Sequence, residues 1–172
     1  MKKLHLGCGK DIKPGYINVD CVLFEGVDLA LDLNQLPYPF KDDEFDVIEL
    51  HHVLEHLHNE IQVLEELYRI AKPDGKVIIS VPYGAEWLGH IDHKRGYNYA
   101  TFKSLVDNKY RTNYFSKANL KQVKMTSKPT GIGRIIPNIP VPFCQLKSRE
   151  IVSTFLNNIV KEFTVELIAV KK

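Results

Sequence analysis

A chain of 172 residues, 44% apolar and 26% charged, has the size and composition of a single globular domain with a sizeable core. No apolar run approaches the ~20 residues that cross a bilayer, Met1-Lys2-Lys3 enters an apolar strand at once and so predicts no secretory leader, and three cysteines without a CxxC exclude a disulfide scaffold and predict the reducing cytoplasm. The net charge of +2 hides two unlike halves: residues 1–86 hold 8 Lys/Arg against 16 Asp/Glu, residues 87–172 hold 15 against 5, which is either surface variation or the mark of an anionic partner for the second half.

In chain order, Lys3–Leu6 reads as a short apolar strand that runs into the turn Gly7-Cys8-Gly9. Tyr16–Val19 is a second strand ending at Asp20, and Val27–Leu31 a third ending at Asp32. The prolines of Leu36–Phe40 and the charges of Lys41–Glu44 make a loop before the apolar strand Phe45–Leu50. From His52 to Ala71, Val53, Leu54, Leu57, Ile61, Leu64, Leu67 and Tyr68 recur at helical spacing and predict one long helix, ended by Lys72-Pro73-Asp74-Gly75. Lys76–Val81 is the next strand. The second half predicts a short helix over Phe102–Asn108, strands over Arg111–Phe115 and Leu120–Thr126, an apolar proline-rich loop over 129–144, a helix over Gln145–Lys161 and a closing strand over Phe163–Val170. Strands alternating with a crossover helix, then strand pairs, predict a Rossmann-like, doubly wound, mostly parallel α/β sheet with an antiparallel C-terminal edge.

Glycines after the first strand let backbone approach a ligand, and an acid closing the next strand can accept from ribose hydroxyls. Only ten residues separate Gly9 from Asp20, and they include Pro14 and Gly15. A full crossover helix does not fit, so the first helix is predicted to shrink to a turn or loop. A dinucleotide fingerprint spaces its acid ~20 residues downstream and seats pyrophosphate on that helix, which argues against NAD.

The ordered set LHLGCG, Pro14–Asp20, Asp32-Leu33, Leu36-Pro37, Phe45–Ile48, His52–Leu57, Arg69–Lys76, Ile79–Pro82 and Asp92–Tyr97 resembles the class I S-adenosylmethionine-dependent methyltransferases, and within them the type-11 branch associated with glycan and cell-surface biosynthesis. The resemblance spans roughly residues 4–105. It implies S-adenosylmethionine as cofactor. It places Gly7, Cys8 and Gly9 at the methionyl end, Asp20 on the ribose hydroxyls, Asp32 and the Leu33 backbone on adenine, and His51 near the methionine moiety. It also implies methyl transfer to a polar acceptor, with a sugar or glycan-type anionic molecule expected first. A strand starting so near Met1 departs from the family, whose preceding helices cap the pocket. The whole of 1–172 is therefore expected to be one domain in which 84–100 and 129–161, or a second subunit, cap the substrate side.

An acceptor hydroxyl or amine calls for a base. His93 beside Asp92 is the first candidate and His52 the second, although Asp92 and His93 would equally serve to fasten their loop. Lys94 and Arg95 suit an anionic substrate group or plain solvent exposure, and Tyr83 and Trp87 suit stacking on a sugar or simple packing. His52-Val53-Leu54-Glu55-His56 also spells the H-x-x-E-H zinc signature, which on a helix would put His52 and His56 on one face. The same letters open a helix without metal in the resembled family, and no metal is expected. Two other functions stay open: a nucleic-acid methyltransferase, disfavoured because no (D/N)PP(Y/F) follows Phe45–Leu50 and no Pro-Cys pair occurs, and a catalytically silent cofactor-binding module. The apolar stretch Ile132–Phe143, with Arg134 and Lys147, suits a lid, a dimer contact or a peripheral membrane contact.

Overall fold

Seven strands form one sheet in the order β3-β2-β1-β4-β5-β7-β6. They are β1 (Lys3–Leu6), β2 (Ile17–Asp20), β3 (Leu29–Ala30), β4 (Phe45–His51), β5 (Ala71–Pro82), β6 (Leu120–Pro129) and β7 (Val160–Ala169), and the main helix is α1 (Glu60–Ile70). The computed structural model describes residues 1–83, 89–98, 101, 116–129 and 160–171. The first five strands pair parallel, while β7 runs antiparallel to both β5 and β6. The predicted mostly parallel sheet with an antiparallel edge is therefore present.

The sheet has two unlike faces. Leu4 pairs with Ile48 and Leu6 with Leu50, Ile48 and Leu50 pair with Val77 and Ile79, and these pair with Leu167 and Val165, so period-2 alternation lays all of them on one face. Helix α1 covers that face with Val63, Leu64, Leu67 and Ile70, joined by Leu33, Tyr38 and Leu54. Each such side chain, fully buried, contributes roughly 1.5–3 kcal/mol of transfer free energy. The opposite face carries His5, Asn18, Glu49, His51, Ser80 and Thr164. Glu49 gathers this face. Its carboxylate accepts from Lys13 Nζ at 2.5 Å, the Tyr16 hydroxyl at 2.6 Å and His51 Nε2 at 2.9 Å. His51 Nδ1 lies 3.0 Å from the Ser80 hydroxyl, which lies 2.7 Å from that of Thr164.

Residues 7–16 form turns and no helix, as the short Gly9-to-Asp20 interval requires. The long helix predicted over His52–Ala71 is corrected. His52 has a positive φ of 55°, Leu54–His56 make a single 3₁₀ turn, and Leu57 is extended before α1 starts at Glu60. Asn59 caps α1 by accepting from the Gln62 amide, the side-chain-to-backbone bond that sets a helix start. Val53, Leu54 and Leu57 are buried all the same, so their apolar spacing is met by a tight turn. β5 begins at Ala71, five residues earlier than predicted, and Lys72–Gly75 lies within it where the β4 register shifts between Phe45 and Val47. β7 begins at Val160, inside the segment predicted as the helix Gln145–Lys161. The rest of that helix, the elements predicted at 102–108 and 111–115, the loop 130–144 and Trp87 lie outside the described residues.

Candidate functional site: a glycine turn beside a histidine-rich corner

The turn after β1 sits at the carboxyl ends of the parallel strands, where open α/β sheets take their ligands. Gly7 and Gly9 have φ of 65° and 51°, values that L side chains adopt only with strain. A Cβ on Gly7 would lie 2.3 Å from Cγ2 of Val53, whereas one on Gly9 meets nothing within 4 Å. Gly7 is thus needed for close packing against the segment after β4, and Gly9 leaves its backbone open to a ligand. The turn is held by three bonds: the Cys8 amide donates to the Val19 carbonyl at 3.0 Å, the Asp11 amide to the Cys8 carbonyl at 2.8 Å, and the Gly9 amide to Asp20 Oδ2 at 2.7 Å. Cys8 is buried, and burial together with nearby Asp20 pushes its thiol pKa up, which makes it a poor nucleophile.

Asp20 closes β2, and its second oxygen accepts from the Val22 amide at 3.2 Å. Asp32 follows β3 and is exposed. Its carboxylate caps the next turn, accepting from the amide and side chain of Asn34 and held below its ordinary pKa first by that amide. Leu33 is buried, with its carbonyl fixed by the Tyr38 hydroxyl at 3.0 Å. His51 ends β4 and belongs to the Glu49 network. Gly7, Gly9, Asp20, Asp32, Leu33 and His51 therefore lie along one edge, after four neighbouring strands.

S-adenosylmethionine fits this edge. Gly9 offers unoccupied space beside its backbone, and the Asp20 and Asp32 carboxylates are fixed by amides. The chain would hold the amino-acid end at Gly7–Gly9 and the nucleoside end at Asp20, Asp32 and Leu33.

Val53 connects this edge to a second cluster. Immediately before it, His52 points Nε2 at Glu162 Oε2, 3.2 Å away, and Nδ1 toward Glu55 Oε1 at 3.6 Å. These carboxylates raise the His52 pKa, the Glu55 contact first. Immediately after Val53, the 3₁₀ turn carries Glu55 and His56. His56 Nδ1 lies 3.2 Å from Asp92 Oδ2, and its ring lies 4.8 Å from that of His93, which in turn stacks on His90. The Lys94 amide donates to the Glu55 carbonyl at 2.7 Å and the Tyr97 hydroxyl to the Leu54 carbonyl at 3.3 Å, so the 90–97 segment is fastened onto the turn.

The sequence-predicted residues are thus divided. Asp92 and His93 meet at one corner, and the carboxylate of Asp92 is turned to His56. His52 is oriented by Glu162, a residue from the far end of the chain that no spacing argument selects. Arg95 is bonded to Glu60 at 3.3 Å, while Lys94 is exposed. Tyr83 is 5% exposed and packs edge-on to Phe163 at 4.7 Å, which leaves little of its ring for stacking. Sequence reading passed over Val53 as a core residue, although two glycines before a β-branched residue at the neighbouring strand end hint at such a close approach.

Residues 8–79 match the profile of the family Methyltransf_11, a methyltransferase domain. The chain is 25% identical over 136 residues to the uncharacterized protein MJ1123 of Methanocaldococcus jannaschii, a match that takes in 71% of this chain and 57% of that protein. Among solved structures it resembles a SAM-dependent methyltransferase from Archaeoglobus fulgidus, with a TM-score of 0.65 and 14% identity, over 97% of this chain and 85% of that one. It also resembles phosphoethanolamine N-methyltransferase 2 of Haemonchus contortus in complex with S-adenosyl-L-methionine, with a TM-score of 0.58 and 13% identity, over 99% of this chain and 50% of that one. By strand order and by the sequence of residues 8–79, the chain resembles a methyltransferase domain. No helix among the described residues is long and apolar enough to cross a membrane.

Proposed function

We propose that this chain transfers a methyl group from S-adenosylmethionine to a polar, hydroxyl-bearing acceptor, with a sugar or glycan precursor carrying an anionic group as the first class to test. The observation that carries the reading is the Gly7–Gly9 turn, packed on Val53 on one side and pinned to Asp20 on the other. When bound, the cofactor supplies a methyl already activated on a sulfonium, so the protein's task is positioning and the handling of one proton. Gly9 and the Cys8 amide region seat the methionyl end, Asp20 accepts from the ribose hydroxyls, and Asp32 with the Leu33 backbone reads the adenine edge. His51, held by Glu49 and Ser80, gives that end a fixed polar wall. His52, next to the Val53 that packs on Gly7, is a candidate base, oriented by Glu162 through Nε2. His93 with Asp92, gathered at His56, is the other candidate base. Lys94 supplies positive charge for an anionic acceptor.

Calorimetric titration with S-adenosylmethionine tests the reading. Binding to the unaltered chain is expected, with Asp20→Ala weakening it at least ~10-fold, the scale of losing a charge-assisted hydrogen-bond acceptor worth about 1.5–3 kcal/mol. No binding, or binding indifferent to Asp20→Ala, overturns it. Transfer of labelled methyl to hydroxylated acceptors with and without a phosphate or carboxylate then reads the acceptor class.

A further inference from the structure

Glu55 is fully buried, and both its carboxylate oxygens lack a hydrogen-bond partner. A buried carboxylate is costly unless it is paired or coordinates a cation. Its closest ion-pair neighbour, His52 Nδ1, lies at 3.6 Å, and that ring is committed at its other nitrogen to Glu162. Ligand atoms of Glu55, His56 and His93 all lie within 4.8 Å of one another. Those of His90, Asp92 and His93 do so as well, so the two sets share His93. His56 Nδ1 and Asp92 Oδ2, at 3.2 Å, already stand at the spacing of two ligands on one ion. Ligands held about 2.0–2.2 Å from a common ion lie roughly 3–3.5 Å apart, so the set has to contract by no more than about 2 Å to hold one ion.

We propose that Glu55, His56 and His93 form a binding site for a first-row divalent transition-metal ion, with Asp92 as a further oxygen ligand. Two imidazoles and a carboxylate suit zinc or manganese and not magnesium, which prefers oxygen ligands and its own waters. The site differs from the one H-x-x-E-H spells. That signature pairs His52 with His56 across a helical turn, but the positive φ at His52 breaks the helix and sends His52 to Glu162. No spacing in the sequence marks this set, because the second imidazole comes from His93, 37 positions beyond His56 and brought in by the Lys94-to-Glu55 backbone bond.

The site's use rests on the methyl-transfer reading. Asp92, the exposed ligand, would give up its position to an oxygen of the acceptor, and the neighbouring Val53 is the residue packed on the cofactor turn. The metal would bind and orient an acceptor through its hydroxyl on the cofactor side of the corner.

Titration of the full chain with Zn²⁺ and with Mn²⁺ is independent of any cofactor. A single ion per chain is expected from at least one of them, together with Co²⁺ absorption bands in the visible. His93→Ala and His56→Ala should each weaken binding at least ~10-fold and abolish those bands, since even outer partners of metal ligands cost 10–100-fold. The exposed His58→Ala should leave both intact. Glu55→Gln is buried and subject to folding effects, so the two histidine variants, with circular dichroism unchanged, decide the matter. No binding, binding of Mg²⁺ alone, or a loss below tenfold in either histidine variant overturns the site. S-adenosylmethionine titration of the same variants separates this failure from failure of the methyl-transfer reading: the metal site stands or falls without it.

Discussion

Glu49 and Leu50 are neighbours on β4 and face opposite sides of the same sheet, and they hold it in different ways. Leu50 lies among Leu6, Ile79 and the residues of α1, where shape and apolar area decide. Glu49 lies among Lys13, Tyr16 and His51, where a partly buried charge decides. Burial alone would raise the Glu49 pKa, but the three donors outweigh it and hold it down to about 2. The same face raises the pKa of Tyr16 to about 12, by burial first and then the Glu49 bond, and lowers that of His5, by burial first and then Lys13. The face that a first crossover helix would cover is here spanned by the loop carrying Lys13 and Tyr16. Where residues 7–16 form no helix, a charge network on Glu49 ties their loop to the sheet.

The largest effect should come from the apolar face. Leu50→Ala is expected to destabilise by about 2–5 kcal/mol, the range for cavities in well-packed cores, and by a similar amount at pH 4 and pH 7. Chemical denaturation at the two pH values checks this. A cost that depended strongly on pH would break the division between the faces.

Glu49→Gln comes next, at up to about 3 kcal/mol at pH 7, as the depression of its pKa from 4.5 to about 2 implies. The sign is fixed by that depression. The stabilisation is present above the unfolded value near 4.5 and is lost as pH falls through the folded value near 2. The gap between Glu49→Gln and the unaltered protein should therefore close between about pH 5 and pH 2. His5 works in the same direction. A histidine with a lowered pKa favours the fold above its ordinary 6.5 and withdraws that support as pH falls below it. An acid limb that began above pH 5 and persisted in Glu49→Gln would assign the effect to His5.

Gly7→Ala is the smallest of the three in stability, about 1–3 kcal/mol, because it combines a φ of 65° with a 2.3 Å approach to Val53. It should weaken S-adenosylmethionine binding more than it lowers the melting temperature suggests. Adding Val53→Ala should restore part of the stability by removing the close approach while leaving the strain. Full restoration would show that the positive φ costs nothing here.

Most of the fold was legible because its signals are local. Alternation within Lys3–Leu6, Phe45–Leu50 and Lys76–Val81 marks strands, and ten residues between Gly9 and Asp20 cannot hold a crossover helix. The helix over His52–Ala71 misled because Val53, Leu54 and Leu57 satisfy a 3₁₀ turn and an α-helix alike. The Asn59-to-Gln62 cap, which sets the true start, is a single polar residue inside an apolar period. Of the site, the glycines and the acids at the strand ends could be read from order and spacing. The partners Glu162 for His52 and His56 for Asp92 could not, since each pair joins segments whose separation in the chain carries no periodic signal.

The sequence by itself determined the parallel sheet, its antiparallel edge, the missing first helix and the glycine turn with acids at the neighbouring strand ends, because alternation, turn chemistry and chain length act within a few residues. Only the tertiary structure decided which face is polar, that Val53 packs against Gly7, and that Glu55, His56, Asp92 and His93 share one corner. Those depend on strand register and on a single positive φ at His52, and both are settled by packing across the sheet.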